Sequence, residues 1–190
     1  MSHPDVQPDE SPLERAMAGD RDAFAVLVET HQHEVYTLAL RLTRDPHLAG
    51  DVAQEAFIKA WRALPKFRGD AAFGTWVHRI TVNTAWTLRQ RARRHQHDEL
   101  GPASDHPSLA PVADPVASGE NAELRRILDG ALAGLPAGQR AVVVLKDVYG
   151  YSHDEIADAL DISVSASKVR LHRAHLRLRR VLVAIDEGFA

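Results

Sequence analysis

Tyr151-Ser152-His153-Asp154-Glu155-Ile156-Ala157-Asp158-Ala159-Leu160, then Asp161-Ile162, then Ser163 through Val183, is the stretch on which the fold turns. Ser152 and Glu155 stand in the Ser-x-x-Glu relation of a capping box, which predicts a helix opening at Ser152. Its apolar side carries Ile156, Ala157 and Leu160. Asp161-Ile162 breaks the pattern, and a second helix is predicted from about Ser163 to Val183. That helix holds Lys168, Arg170, Arg173, Arg177, Arg179 and Arg180, with no acidic residue before Asp186, and His172 and His175 add donors. Val164, Leu171, Leu176 and Leu178 supply its apolar face. A short helix, a break and a basic helix form the outline of a helix-turn-helix. A helix entering the major groove presents polar groups and cations near its N-terminal end and docks by its other face. Lys and Arg neutralise phosphates. A solvated basic helix on a bundle has the same local pattern.

Upstream, Leu124, Ile127, Leu128, Ala131 and Leu132 share a helical face that Gly134 ends. Pro136 begins the next helix, expected to bury Val142, Val143, Leu145 and Val148 and to stop at Gly150. Residues 95–119 hold Pro102, Pro107, Pro111 and Pro115 among Ala, Ser, Asp and His, without apolar period, as a linker does. From Asp98 to Glu123 every formal charge is acidic.

The first half is also helical in pattern. Ser11-Pro12 and Asp45-Pro46 each read as a cap followed by proline at the first helical position. Asp20 caps a longer helix whose Phe24, Leu27, Val28, His31, Val35, Leu38 and Leu42 recur at helical spacing. A third helix runs through Val52, Ala56, Phe57 and Trp61 to near Pro65. A fourth carries Phe73, Trp76, Val77, Ile80, Ala85 and Leu88 and runs out in Arg89, Arg91, Arg93 and Arg94. No strand-like alternation competes. The expectation is an all-α chain: a polar tail at 1–10, a helical domain at 11–94, a linker at 95–119 and a helix-turn-helix domain at 120–185.

Composition narrows the function. The 190 residues carry 23 Lys and Arg against 26 Asp and Glu, for a net charge of −3. With 45% hydrophobic and 26% charged residues, the chain has the balance of a globular protein. It has no cysteine, which excludes disulfides, thiolate zinc sites and thiol catalysis. No secretory leader or bilayer-spanning apolar run is visible, so a cytoplasmic protein without membrane insertion is expected. The near-neutral total hides segregation: one basic cluster at Arg89 to Arg94, another at Lys168 to Arg180, and acidic residues between them.

Two faces of the first domain have chemistry of their own. Asp51, Gln54 and Glu55 are related by three and four residues, an acidic and amide face suited to a partner bearing Arg or Lys. Arg79 and Asn83 share a face of the fourth helix, and Asn is able to read a base edge.

These blocks, in order, resemble the extracytoplasmic-function (ECF) sigma factors of the sigma-70 family. The resemblance rests on Asp51 through Trp61, Phe67-Arg68-Gly69-Asp70, Thr75 through Asn83, Leu135 through Val144, Tyr151 through Ala157, and Arg170 through Ala174. It covers nearly the whole chain outside the first residues and the linker. It implies promoter-specific transcription initiation, no catalysis and no cofactor. By resemblance, Asp51, Gln54, Glu55 and Lys59 meet the β′ clamp helices of core RNA polymerase. Arg79, Asn83, Thr84 and Arg89 meet the −10 element of promoter DNA, with Asn83 where a flipped base is read. Ser165, Ser167, Lys168, Arg170 and Arg173 meet the −35 element, and their domain packs on the β flap. The acidic linker is expected in the RNA-exit path, and an anti-sigma factor is an expected partner. Family members often carry Gly-Thr-Val where this chain has Ser165-Ala166-Ser167, so the individual base contacts, and with them the −35 sequence read, are not copied from the family.

Two other readings stay open at this level. A conventional helix-turn-helix regulator explains the last domain but leaves the Asp51–Trp61 helix and the Asn83 helix without a purpose. A metalloprotein is suggested by 11 histidines, notably His31-x-His33 and His95-x-His97. Residues two apart on a helix point roughly 200° apart, which makes His31 and His33 poor joint ligands. No His-Glu-x-x-His motif or phosphate-binding glycine loop is present. No metal site is expected.

Overall fold

The computed structural model describes residues 11–100 and 122–188, and among them the secondary structure is helical. The helices are α1 (Pro12–Met17), α2 (Arg21–Thr43), α3 (Pro46–Ala63), α4 (Phe73–Leu100), α5 (Ala122–Ala133), α6 (Ala137–Val143), α7 (His153–Leu160) and α8 (Val164–Gly188). The tail at 1–10 and most of the expected linker lie outside the described residues. α4 continues to Leu100, past the expected boundary at 94.

Local chemistry sets the helix starts. Ser11 and Ser152 both form complete capping boxes, with Glu14 and Glu155. Asp20 accepts from the amides of Asp22 and Ala23, and Asp45 from those of His47 and Leu48. Each satisfies helix N–H groups that have no partner within the helix. The α2–α3 corner follows from Pro46. A residue before proline is pushed out of the helical region, and Asp45 is extended at φ −133° and ψ 115°. Arg44 therefore ends α2 in the left-handed conformation, φ 62°, with its amide bonded to the Leu40 carbonyl at 2.8 Å.

α1 to α4 enclose one apolar core of Leu27, Val35, Phe57, Leu64, Phe67, Phe73 and Val77. Aromatic pairs line it: Phe24 against Trp61 and Phe67 against Trp76, each at 4.9 Å between centroids.

The two halves do not stand apart. Leu38, Leu42, Val82 and Ala85 from α2 and α4 share a second buried cluster with Val142, Leu145, Tyr151, Ile156 and Leu160. The two expected helical domains therefore also share apolar contact. The apolar edges of α2 and α4 are covered by α6 and α7. Burying a Leu or Ile fully stabilises by about 1.5–3 kcal/mol, so leaving this face in water would be costly.

Two details of the last domain depart from the periodic reading. After α6, Val144–Val148 forms one wide π turn, with the Tyr149 amide bonded to the Val144 carbonyl at 3.2 Å. The wider turn takes an extra residue and shifts the helical phase. Val148, expected inside, is 50% exposed in consequence. Leu176, expected on the docking face of α8, is 42% exposed, while Leu171 and Leu178 pack inward.

Candidate nucleic-acid and partner interface

On α3, Asp51 and Gln54 are exposed and Glu55 is half-buried. Lys59 approaches Glu55 at 3.7 Å and donates to the Thr84 hydroxyl at 3.2 Å, which ties this face to α4. Ile58, which the charge pattern did not single out, is 37% exposed. It lies three and four residues from Glu55 and Gln54, so an apolar side chain sits beside the polar ones. The signal available in sequence was its seven-residue spacing from Asp51.

On α4, Asn83 is exposed and Arg79 lies one turn before it on the same side. Two neighbours expected from resemblance to contact DNA are less accessible than Asn83. Thr84 is fully buried and accepts the Lys59 bond. Arg89 is half-buried and donates to the Thr43 carbonyl at 3.2 Å. That carbonyl belongs to the last turn of α2, where unpaired acceptors and the helix dipole favour a cation. Both residues brace the bundle.

In the helix-turn-helix, Ser165, Lys168 and Arg173 are exposed along α8. Ser167, expected among the residues that meet the −35 element, instead lies in the interior. It is fully buried and shares a 2.9 Å hydrogen bond with His153 Nδ1, which joins α8 to the start of α7. Arg170 is half-buried and lies across Gly138, where an added Cβ would stand 3.2 Å from a guanidinium nitrogen. His175 reaches Asp147 at 2.7 Å and ties α8 to the π turn.

The contacts between the halves involve residues that sequence reading assigned otherwise or passed over. Arg79 of α4 forms an ion pair with Glu155 of α7. Tyr149 stacks edge-on to His78 and accepts a 3.4 Å bond from Arg41. Asp129 acts electrostatically on Arg44. Burial holds His78 below the ordinary histidine value; Glu34 works against that shift and His31 adds to it. Burial also pushes Tyr151 up to about 12. The Glu155 carboxyl is held down, first by the Ser152 amide, then by the Ser152 hydroxyl, with Arg79 adding less.

Among the described residues, no group of three or more His, Cys, Asp or Glu side chains is arranged to hold a metal ion. His31 lies toward Glu34 while His33 is exposed. The side chains of His95 and His97 lie outside the described set. Among the described residues no helix is long and apolar enough to cross a membrane.

Comparison with known proteins agrees with this geometry. Residues 27–95 match the family model of Sigma-70 region 2, and residues 125–178 that of Sigma-70, region 4. The chain is 35% identical over 181 residues to the RNA polymerase sigma-H factor of Pseudomonas aeruginosa, covering 92% of this chain and 93% of that one. It is 38% identical over 168 residues to the ECF RNA polymerase sigma-E factor of Escherichia coli K12, covering 85% and 87%. Among solved structures it resembles CnrH in complex with the cytosolic domain of CnrY, with a TM-score of 0.55, 27% identity and coverage of 91% and 96%. It shares the fold of the sigma factor RpoE in complex with the anti-sigma factor NepR from Bartonella quintana, with a TM-score of 0.63, 23% identity and coverage of 84% and 96%.

Proposed function

The chain belongs to the ECF sigma factors of the sigma-70 family, and from that premise we propose how its surfaces divide the work of promoter-specific initiation. The exposed α3 face with Asp51, Gln54 and Glu55 docks on the β′ clamp helices of core RNA polymerase. Arg79 and Asn83 on α4 face the −10 element, with Asn83 reading a base edge. Ser165, Lys168 and Arg173 at the exposed side of α8 face the −35 element, with Lys168 and Arg173 neutralising phosphates. The helix-turn-helix half rests on the β flap. The chain supplies recognition and no bond chemistry. An anti-sigma factor is its regulatory partner, as NepR is for the RpoE whose fold it shares.

One observation carries this reading: the two family matches fall on the two halves of the chain, and each includes a helix with exposed polar groups, Asn83 on α4 and Ser165, Lys168 and Arg173 on α8. A conventional regulator would need only the second.

In-vitro transcription with purified core polymerase tests it. The expected result is a set of discrete transcript 5′ ends that appear only when this chain is added. Binding to duplex DNA by the chain alone, with no specific initiation in the presence of core enzyme, would overturn it.

A further inference from the structure

We propose that Val169 of α8 reads the 5-methyl group of a thymine in the −35 element and so fixes one A·T pair of the promoter. The inference deepens the reading above and rests on it, since it requires α8 to face that element.

Three observations on α8 support it. The first is direction. α8 buries Ser167 and Ala174 and packs Leu171 and Leu178 inward. At about 100° per residue, Val169 points roughly 140–160° away from Ser167, Leu171 and Ala174, near the middle of the outward side. Its side chain is 45% exposed there. The second is company. Ser165 and Arg173 stand one turn before and one turn after Val169, and Lys168 and His172 lie beside it, all of them exposed. Lys168 flanks the apolar group on one edge and Arg173 on the other, and no acidic residue occurs from Ile162 to Ile185. A helix seated in a major groove needs that order: cations toward the phosphate walls, a different chemistry toward the base edges. The third is height. Val169 is the sixth residue of α8, about 8 Å from its start, at the end from which a recognition helix touches bases. The exposed Leu176, Val181, Leu182 and Val183 lie further along.

Side-chain chemistry then selects the base. The Val169 isopropyl group neither donates nor accepts a hydrogen bond. The thymine methyl is the apolar mark that the major groove offers. A G·C pair in the same place would bring polar groups that Val169 leaves without a partner.

The test uses the chain assembled with core polymerase and a promoter duplex taken from its mapped transcript starts. Each thymine of the −35 element, on either strand, is replaced in turn by deoxyuridine, which lacks only the methyl. Wild type should lose about three- to fivefold in affinity at one position. Val169→Ser should bind thymine and uracil equally at that position, and Val169→Thr, which keeps one methyl, should retain part of the preference. Val169 is exposed, so these variants should melt as the wild type does. An element with no A·T pair, a wild type indifferent to every uracil, or a preference that persists in Val169→Ser would overturn the assignment. So would weaker binding of Val169→Ser to core polymerase with the methyl preference intact, which would make Val169 a protein contact. Absence of specific initiation by the wild type would sink the promoter reading itself, and it is scored before any uracil is placed.

Discussion

The ring of Tyr149 meets the imidazole of His78 edge-on, with centroids 5.4 Å apart and planes at 82°, and so seats the π turn of one half on α4 of the other. The same Tyr149 hydroxyl accepts from Arg41. Glu34 lies 3.6 Å from His78 Nε2 and 3.7 Å from His31 Nδ1. Glu34, His31 and His78 thus form a titratable cluster between α2 and α4, with Tyr149 packed on its His78.

That cluster sets a direction for pH. Burial lowers the His78 pKa in the folded chain, with His31 adding to the shift and Glu34 opposing it. On unfolding, the imidazole returns toward its ordinary value of about 6.5. Protons therefore bind the unfolded form more tightly. The contribution to stability is complete above about pH 6.5 and is lost as pH falls toward the depressed value. The unfolding midpoint should fall as pH drops below about 6.5 in the wild type, and His78→Gln should flatten that fall. Equal slopes in the two proteins would place the titration elsewhere.

Asn83→Ala should reduce initiation by a factor that depends on the −10 sequence. Loss of a well-formed base contact corresponds to about 1–3 kcal/mol of discrimination. Initiation rates on a panel of −10 variants check this. A uniform loss on every promoter would make Asn83 a structural residue.

Arg173→Ala should weaken DNA binding by the polymerase complex and flatten the plot of log affinity against log salt by about one unit. Titration of affinity against salt on a promoter that uses the −35 element is the measurement. An unchanged slope would take Arg173 off the phosphate backbone.

Ser165 and Ser167 should behave in opposite ways although only one residue separates them. Ser167→Ala removes a buried hydrogen bond to His153, worth about 0.5–1.5 kcal/mol, and should lower the unfolding midpoint without changing −35 preference. Ser165→Ala touches an exposed side chain and should leave stability in place while altering binding to −35 variants. Thermal melts and binding to a −35 panel read the two effects separately.

Sequence reading succeeded where the decisive interaction is local. Asp20, Asp45-Pro46, Ser11-Pro12 and the Ser152–Glu155 box are spaced within one turn of the groups they satisfy, and each stands in the structure where its spacing put it. The succession of helices followed. Periodicity misplaced side chains where the helical phase itself changed or where either face had a plausible partner. The π turn shifted the phase at Val148. Thr84 and Ser167 lie one or two residues from exposed polar neighbours, and only the packing of α4 on α3 and of α8 on α7 turned them inward.

Near-neutral net charge marks the same division. By itself the sequence determined an all-helical chain with two basic ends, an acidic middle and the family to which it belongs. Helix caps, periodicity and charge order are properties of neighbours along the chain. Tertiary structure alone decided that Glu155, a helix cap by its spacing, also holds Arg79, and that Tyr149 closes over His78. Those pairs are far apart in sequence. They meet because the apolar edges of α2 and α4 are buried by α6 and α7, and no local pattern records which face a second domain will cover.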